Sequence, residues 1–287
     1  MGGPHAIWPF HQVNSIALTK AVQTLWSIST KLFLMVLKHI NPPLLLTSSA
    51  IPVDLTGNLN DPRMRIKHTI ESIAEWLKID PQIPMVVCDG SGFDFTDKVK
   101  SNFPFAKIEC IFFDNDAEQI KKHGKGYGEG EIIRYAIEHS KLMNESEVFI
   151  KCTAKLWVAN FDQCLLQWNN EFMCSPYFAN VFSYKKTMLK FVDTRFYISR
   201  KDFYLKHFSA AHTQFGNIAG RSIEDAFLDV IQHEKMKHIF FRTPPVICGV
   251  GGGSGKYYKS GVIRVLKDRF RNWIARSTSQ YADLFCA

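Results

Sequence analysis

The chain has 287 residues, 46% of them hydrophobic and 22% charged, which suffices for one large α/β domain or two small ones and excludes a disordered chain. Its formal net charge of +8 suits an anionic substrate, a membrane surface or nucleic acid. No RNA-binding aromatic signature or zinc-finger spacing accompanies that charge, so no nucleic-acid partner is expected.

The seven cysteines are odd in number, form no CxxC pair and lie mostly in apolar runs. They read as buried thiols in a reducing compartment. Along the chain, Ile16 to Ile40 is the most apolar stretch, but Lys20, Lys31 and Lys38 break it, so an amphipathic helix is expected there rather than a span. Residues 1–40 are read as a helical extension, 41–258 as the main domain and 259–287 as a basic amphipathic tail.

After Pro42-Pro43, Leu44 to Leu46 predicts a buried strand ending at Thr47. The spacing of Ile66, Ile70, Ile73 and Leu77 predicts a helix over 65–77. Pro84 to Cys88 predicts a second strand, 94–100 a short helix, 108–113 a third strand, 129–140 a helix and 148–150 the start of a fourth strand. Alternating strands and helices predict a doubly wound, mostly parallel sheet. Ligands of such sheets bind beyond the strands' carboxyl ends, here Thr47, Asp89, Asp114 and Thr153. From Phe178 the pattern turns aromatic and irregular, followed by a helix over 222–234.

Several constellations near those ends carry chemistry. Asp89-Gly90-Ser91 offers a carboxylate that accepts a uracil N–H, although a plain β-turn uses the same residues. His123 to Gly130 alternates glycines, Gly126 and Gly128 among them, ahead of a helix whose start favours an anion, with Arg134 one turn in. Lys151, Thr153 and Lys155 alternate and would share one strand face, where they could neutralise a diphosphate; an exposed strand face is the rival reading. Glu224-Asp225 opens a helix, either as a base for an acceptor hydroxyl or as ordinary dipole partners. Gly249 to Lys256 fails the P-loop pattern, with Val250 for Gly and Tyr257 for Ser or Thr, yet Ser254 and Lys256 in such a loop suit a phosphate or sugar.

In this order the segments resemble GT-A-fold nucleotide-sugar glycosyltransferases, in particular the bacterial capsule and lipopolysaccharide group, over Leu44 to Tyr258. The resemblance implies a GT-A-like α/β fold. It implies a nucleobase site at Asp89, Gly90 and Ser91, and a Gly-rich donor segment from Gly124 to Arg134. Lys151-Cys-Thr153-Ala154-Lys155 is similar to a Lys-Ile-Thr-Gly-Arg motif that replaces the metal-binding Asp-x-Asp, with Ala for Gly and Lys for Arg. Asp193-Thr-Arg195 and Ser222-Ile-Glu224-Asp225 look like later segments of the group, the second resembling the base-bearing motif of inverting enzymes, with Asp225 as base and Glu224 assisting.

The resemblance implies hexosyl or pentosyl transfer from a nucleotide-sugar, UDP-linked, to a glycan hydroxyl, with inversion. A catalytically inactive glycan- or nucleotide-binding protein of the same fold is the alternative. No metal is required on this reading, with lysines standing in for Mg²⁺ or Mn²⁺. Asp114 and Asp116 are the rival metal ligands, against a helix-capping role. The expected location is cytoplasmic, peripheral on the inner membrane face, because the tail from Lys256 to Arg276 pairs basic residues with apolar ones at helical spacing and would face a membrane or the acceptor. Packing of that helix onto the domain is the competing expectation.

Overall fold

The computed structural model describes residues 42–53, 57–183, 185–213, 222–253, 255–258, 261–277 and 280–286. The expected N-terminal helix, Ser254 and Lys259 lie outside the described residues.

The apolar runs that read as strands form the sheet's centre. β1 (Leu44–Ser48) and β2 (Met85–Asp89) are buried at every position. Between them, α1 (Pro62–Ile79) starts where Asp61 accepts the Arg63 N–H and Pro62 takes the first turn. Its buried face carries Ser72 and Trp76, which donate to the Leu156 carbonyl at 2.7 and 3.0 Å. α2 (Thr96–Asn102) leads to β3 (Ile108–Phe112). α3 (Ala117–His123), α4 (Lys125–His139) and α5 (Lys141–Asn144) lead back to β4 (Val148–Thr153). β5 (Leu156–Val158) and α6 (Phe161–Leu165) precede a long antiparallel pair, β6 (Phe172–Ala179) and β7 (Met188–Arg200). α7 (Lys201–His207), α8 (Ile223–His233), β8 (Ile247–Val250), β9 (Tyr257–Tyr258) and α9 (Val262–Ser277) complete the order.

The main sheet runs β3-β2-β1-β4-β7-β6, parallel through its first four strands and antiparallel at β7 and β6. The expected α/β class and mostly parallel sheet flanked by helices are therefore present. Strand order steps outward from β1 to β3 and then jumps back to place β4 on β1's other side. Right-handed crossovers put α1 and α2 on one face and α3 to α5 on the other. The reversal leaves a crevice at the carboxyl ends of β1 and β4. A second sheet, β5-β8-β9, stands beside it. The aromatic second half packs rings of Phe172, Tyr197, Phe208 and Phe227 into one cluster.

Two expectations change here. The helix expected from residue 129 begins at Lys125, so Gly126, Gly128 and Gly130 are helical rather than loop glycines. They are tolerated because neighbours leave no room for side chains. A Cβ on Gly130 would fall 2.2 Å from His212 Cγ, one on Gly126 3.0 Å from Ile223 Cβ, and one on Gly128 3.1 Å from Ile120 Cδ1. Secondly, α9 does pack on the domain, by one side: Ala275 is buried and Asn272 donates to the Phe241 carbonyl at 3.3 Å. Its other side leaves Ile263, Leu266, Phe270 and Trp273 exposed, from 51% to 83%. Among the described residues no helix is long and apolar enough to cross a membrane. Six of the seven cysteines are buried and none is in a disulfide.

Candidate active site

Thr47 and Thr153 are register partners at the ends of β1 and β4. Both hydroxyls donate to Glu129 Oε1 at 3.1 Å, and Lys151 Nζ makes an ion pair with the same oxygen. Lys151 also donates to Thr153 Oγ1 at 3.0 Å and to the Thr194 carbonyl at 2.7 Å. Lys151 is wholly buried, and Glu129 on α4 supplies its countercharge. Its ammonium is thereby saturated inside the protein.

Lys155 behaves differently. It lies past the end of β4, in a turn with φ of 76°, where a non-glycine residue is strained. The turn is held from three sides. The Ala154 N–H donates to the Thr47 carbonyl at 2.9 Å, and the Val250 N–H to the Lys155 carbonyl at 3.0 Å. Gly249, with φ of 105°, comes so close that a Cβ there would fall 2.1 Å from that carbonyl oxygen. The Lys155 side chain is buried, and among the described residues nothing pairs with its ammonium. Burial, reinforced by the Arg65 charge, lowers its pKa to about 7, against the opposing pull of Asp89 and Glu129.

This ammonium lines a cavity of about 360 Å³ over the crevice. Thr47, Gly90, Gly128, Thr153, Arg195 and Glu224 line it too, so these expected site residues converge. Lys125 and Glu129 of the expected Gly-rich segment and the backbone of Gly251, Gly252 and Gly253 of the expected glycine loop also line it, with Arg65 and Tyr258, to which the sequence reading gave no role. Arg65 donates to the carbonyls of Ser49 and Leu59 at 2.6 and 2.9 Å, which aims a cation without neutralising it. The glycines form the turn between β8 and β9, pinned by Asn58 N–H to Gly253 O at 3.0 Å. A Cβ on Gly252 would lie 3.4 Å from Lys155 Cε.

Other candidates fall elsewhere. Asp89 is buried, and its carboxylate accepts from Ala50 N, Ser91 N and Ser91 Oγ at 2.8, 2.8 and 2.5 Å. It ties the loop after β1 to the turn after β2, and only Gly90 of that turn reaches the cavity. Ser91 Oγ is bound up likewise, accepting from Ile51 N. Gly126 packs on Ile223, and Arg134 is half-exposed and pairs with Glu131 at 2.6 Å. Lys256 is exposed, its carbonyl accepting from Gly251 N.

Asp225, expected as the base, closes a capping box with Ser222: its Oδ2 accepts from Ser222 N and Oγ, both at 3.0 Å. The adjacent Glu224 is the carboxylate that lines the cavity. Burial first, and the Glu129 charge second, raise its pKa. Asp193 grips Arg195 through two bonds of 2.8 and 2.5 Å. Burial pushes Asp193 upward, but the guanidinium outweighs it and holds the carboxylate below its usual range. Arg195 also sits over the Tyr258 ring at 5.1 Å.

The site thus presents buried cations, glycine backbone and one carboxylate of raised pKa. Glycosyltransferases are among the solved structures that this chain is similar to. One is a putative nucleotide-diphospho-sugar transferase from Desulfovibrio desulfuricans, at 13% identity and a TM-score of 0.44 over 85% of this chain and 94% of that one. Another is core-mannan synthase A from Aspergillus fumigatus in its Mn/GDP form, at 8% identity and 0.47 over 86% of each. A third is a glycosyltransferase involved in the glycosylation of the major capsid of PBCV-1, at 9% identity and 0.39 over 69% of this chain and 80% of that one. No family model and no curated protein matches the sequence.

Among the described residues no set of side chains fits a divalent cation. The β4 end offers Lys151, Thr153 and Lys155, and Glu129 is held by Lys151. Asp116 caps α3, accepting from Glu118 N and Gln119 N at 2.9 and 3.0 Å. Asp114 stands against Gly92, whose absent Cβ would fall 2.3 Å from its Oδ1. Among the described residues no three His, Cys, Asp or Glu side chains cluster as a metal site.

Proposed function

We propose that the chain is a nucleotide-sugar glycosyltransferase of GT-A type, and that the cavity over β1 and β4 takes the donor. The buried, unpartnered ammonium of Lys155 supports this most directly. A buried cation without a counter-ion costs stability, and a diphosphate repays that cost when bound. Arg65 and the backbone at Gly252 and Gly253 add further donors to one anion. Gly90, beside Asp89 and Ser91, would form the floor under a nucleobase, with Asp89 fixing the loop rather than touching the ring. UDP is the nucleotide tested first.

Glu224 takes the role of general base. In a single displacement the acceptor hydroxyl oxygen bonds to the anomeric carbon and the bond to the diphosphate oxygen breaks. The configuration inverts, and the hydroxyl proton passes to Glu224. A raised pKa suits that transfer near neutrality. Lys155 and Arg65 receive the charge that develops on the departing diphosphate. The outward apolar side of α9, with exposed Arg269 beside it, would rest on an anionic membrane surface.

Thermal unfolding with a panel of nucleotide sugars tests the reading. A bound donor raises the midpoint in a concentration-dependent way. The expected result is a rise with UDP or a UDP-sugar that Lys155→Met abolishes, together with slow release of free sugar. No shift with any nucleotide would overturn it.

A further inference from the structure

A second cavity, of about 450 Å³, lies beside the first and shares Arg195 and Tyr258 with it. β6 and β7 wall one side, α9 the other. Tyr177 and Phe191 are register partners on the strands, with rings stacked 4.6 Å apart at 9°, and Tyr177 is 40% exposed. Flat aromatic faces of this kind suit the C–H faces of a pyranose ring. From α9 come Arg264, Lys267 and Arg271, spaced three and four residues apart and so on one helix face.

The charges here do not cancel. Asp193 is taken by Arg195 and Asp268 by Arg271, at 3.0 Å for the latter pair. Arg264 and Lys267 have no carboxylate partner among the described residues; they lie over the rings of Tyr258 and Phe182 at 5.8 and 5.7 Å. Arg271 Nε is buried with no hydrogen-bond partner among the described residues. A buried guanidinium N–H without an acceptor points to an anion on the ligand.

We infer that this cavity is the acceptor subsite and that it takes an acidic saccharide, one bearing a carboxylate or a phosphate. The assignment as acceptor subsite rests on the donor reading above; the acidic-saccharide chemistry stands on this cavity's own residues. Aromatic stacking would hold the sugar ring, while Arg264, Lys267 and Arg271 hold its acid group.

Calorimetry with trigalacturonic acid, its methyl ester and glucose 6-phosphate, alongside UDP, tests this. The free acid is expected to bind at least about 10-fold tighter than the ester, a difference of about 1.4 kcal/mol. Arg264→Gln with Lys267→Gln should remove that preference and leave UDP affinity unchanged; both residues are exposed, so folding is not at stake. Preference for glucose 6-phosphate over the uronide would assign the acid as phosphate. Equal binding of acid and ester, or no binding of either acid by protein that still binds UDP, overturns the inference. Acid binding without UDP binding keeps the cavity's chemistry and removes the donor reading instead.

Discussion

Asp225 turns its carboxylate back onto Ser222, while Glu224, its neighbour, lines the cavity. One step along a helix rotates a side chain by roughly 100°, so adjacent acids serve opposite purposes. Glu224→Gln should lower kcat at least about 100-fold while nucleotide affinity and melting temperature hold. Asp225→Asn should keep most turnover and cost about 0.5–2 kcal/mol of stability through the cap. Steady-state kinetics and thermal melts of both variants check the division; a kcat loss confined to Asp225→Asn would return the base to that residue.

Lys155 predicts a pH dependence. Its pKa of about 7 in the folded protein lies below the ordinary lysine value of 10.5. Between those two values the unfolded chain holds more protons than the folded one, so this residue's destabilising effect is full below pH 7 and fades as pH rises towards 10.5. Lys155→Met should therefore raise the melting temperature most at pH 6 and progressively less towards pH 10. Nucleotide binding should show the opposite trend. An anion favours the protonated amine, so affinity should fall from pH 7 to pH 9 with measurable proton uptake. Lys155→Arg, whose charge does not titrate there, should abolish that slope. Calorimetry in buffers of different ionisation enthalpy reads both effects.

Gly130 gives a test of sign. In an ordinary exposed helix, Gly to Ala stabilises by about 1 kcal/mol. Here the added Cβ would meet the His212 ring at 2.2 Å, and that ring is itself held by Glu131 at 2.6 Å. Gly130→Ala should instead destabilise by about 1–3 kcal/mol, as overpacking does. Denaturant melts decide; a stabilised variant would mean that α4 and the Ala211–Thr213 turn are not in close contact.

The exposed side of α9 predicts membrane binding that depends on lipid charge. Sedimentation with vesicles containing phosphatidylserine should carry the protein down, and neutral vesicles should not. Substituting Phe270 and Trp273 with Ser should release it without loss of stability, since both rings are half-exposed. Equal partition to both vesicle types would leave this side without a lipid role.

The strands were legible because their apolar runs are short and end at polar residues such as Thr47 and Asp89. Alternation of strands and helices gave the parallel sheet and the ligand end of its strands, while the strand order was not legible in it. The glycine run from Gly124 was not legible as a helix. Glycine's low propensity is offset there by contacts with His212 and Ile223, which lie more than 80 positions away in sequence. Lys151 and Lys155 look alike in sequence, and Glu129, on another element, pairs with the first while the second has no partner among the described residues. Glu129 had a signal, as an acid within the Gly-rich segment from Gly124 to Arg134. Arg65 had none, since it reads as the polar face of an amphipathic helix.

Arg195 belongs to the walls of both cavities and is gripped by Asp193 alone among the described carboxylates. A ligand anion entering from either side draws on one and the same guanidinium. Thermodynamic linkage then requires reciprocity: whatever factor occupancy of the first cavity applies to affinity in the second, the second returns to the first. With two anions sharing one cation that factor should be unfavourable. Loss of the leaving diphosphate would tighten the hold on whatever remains, and product dissociation would acquire a preferred sequence.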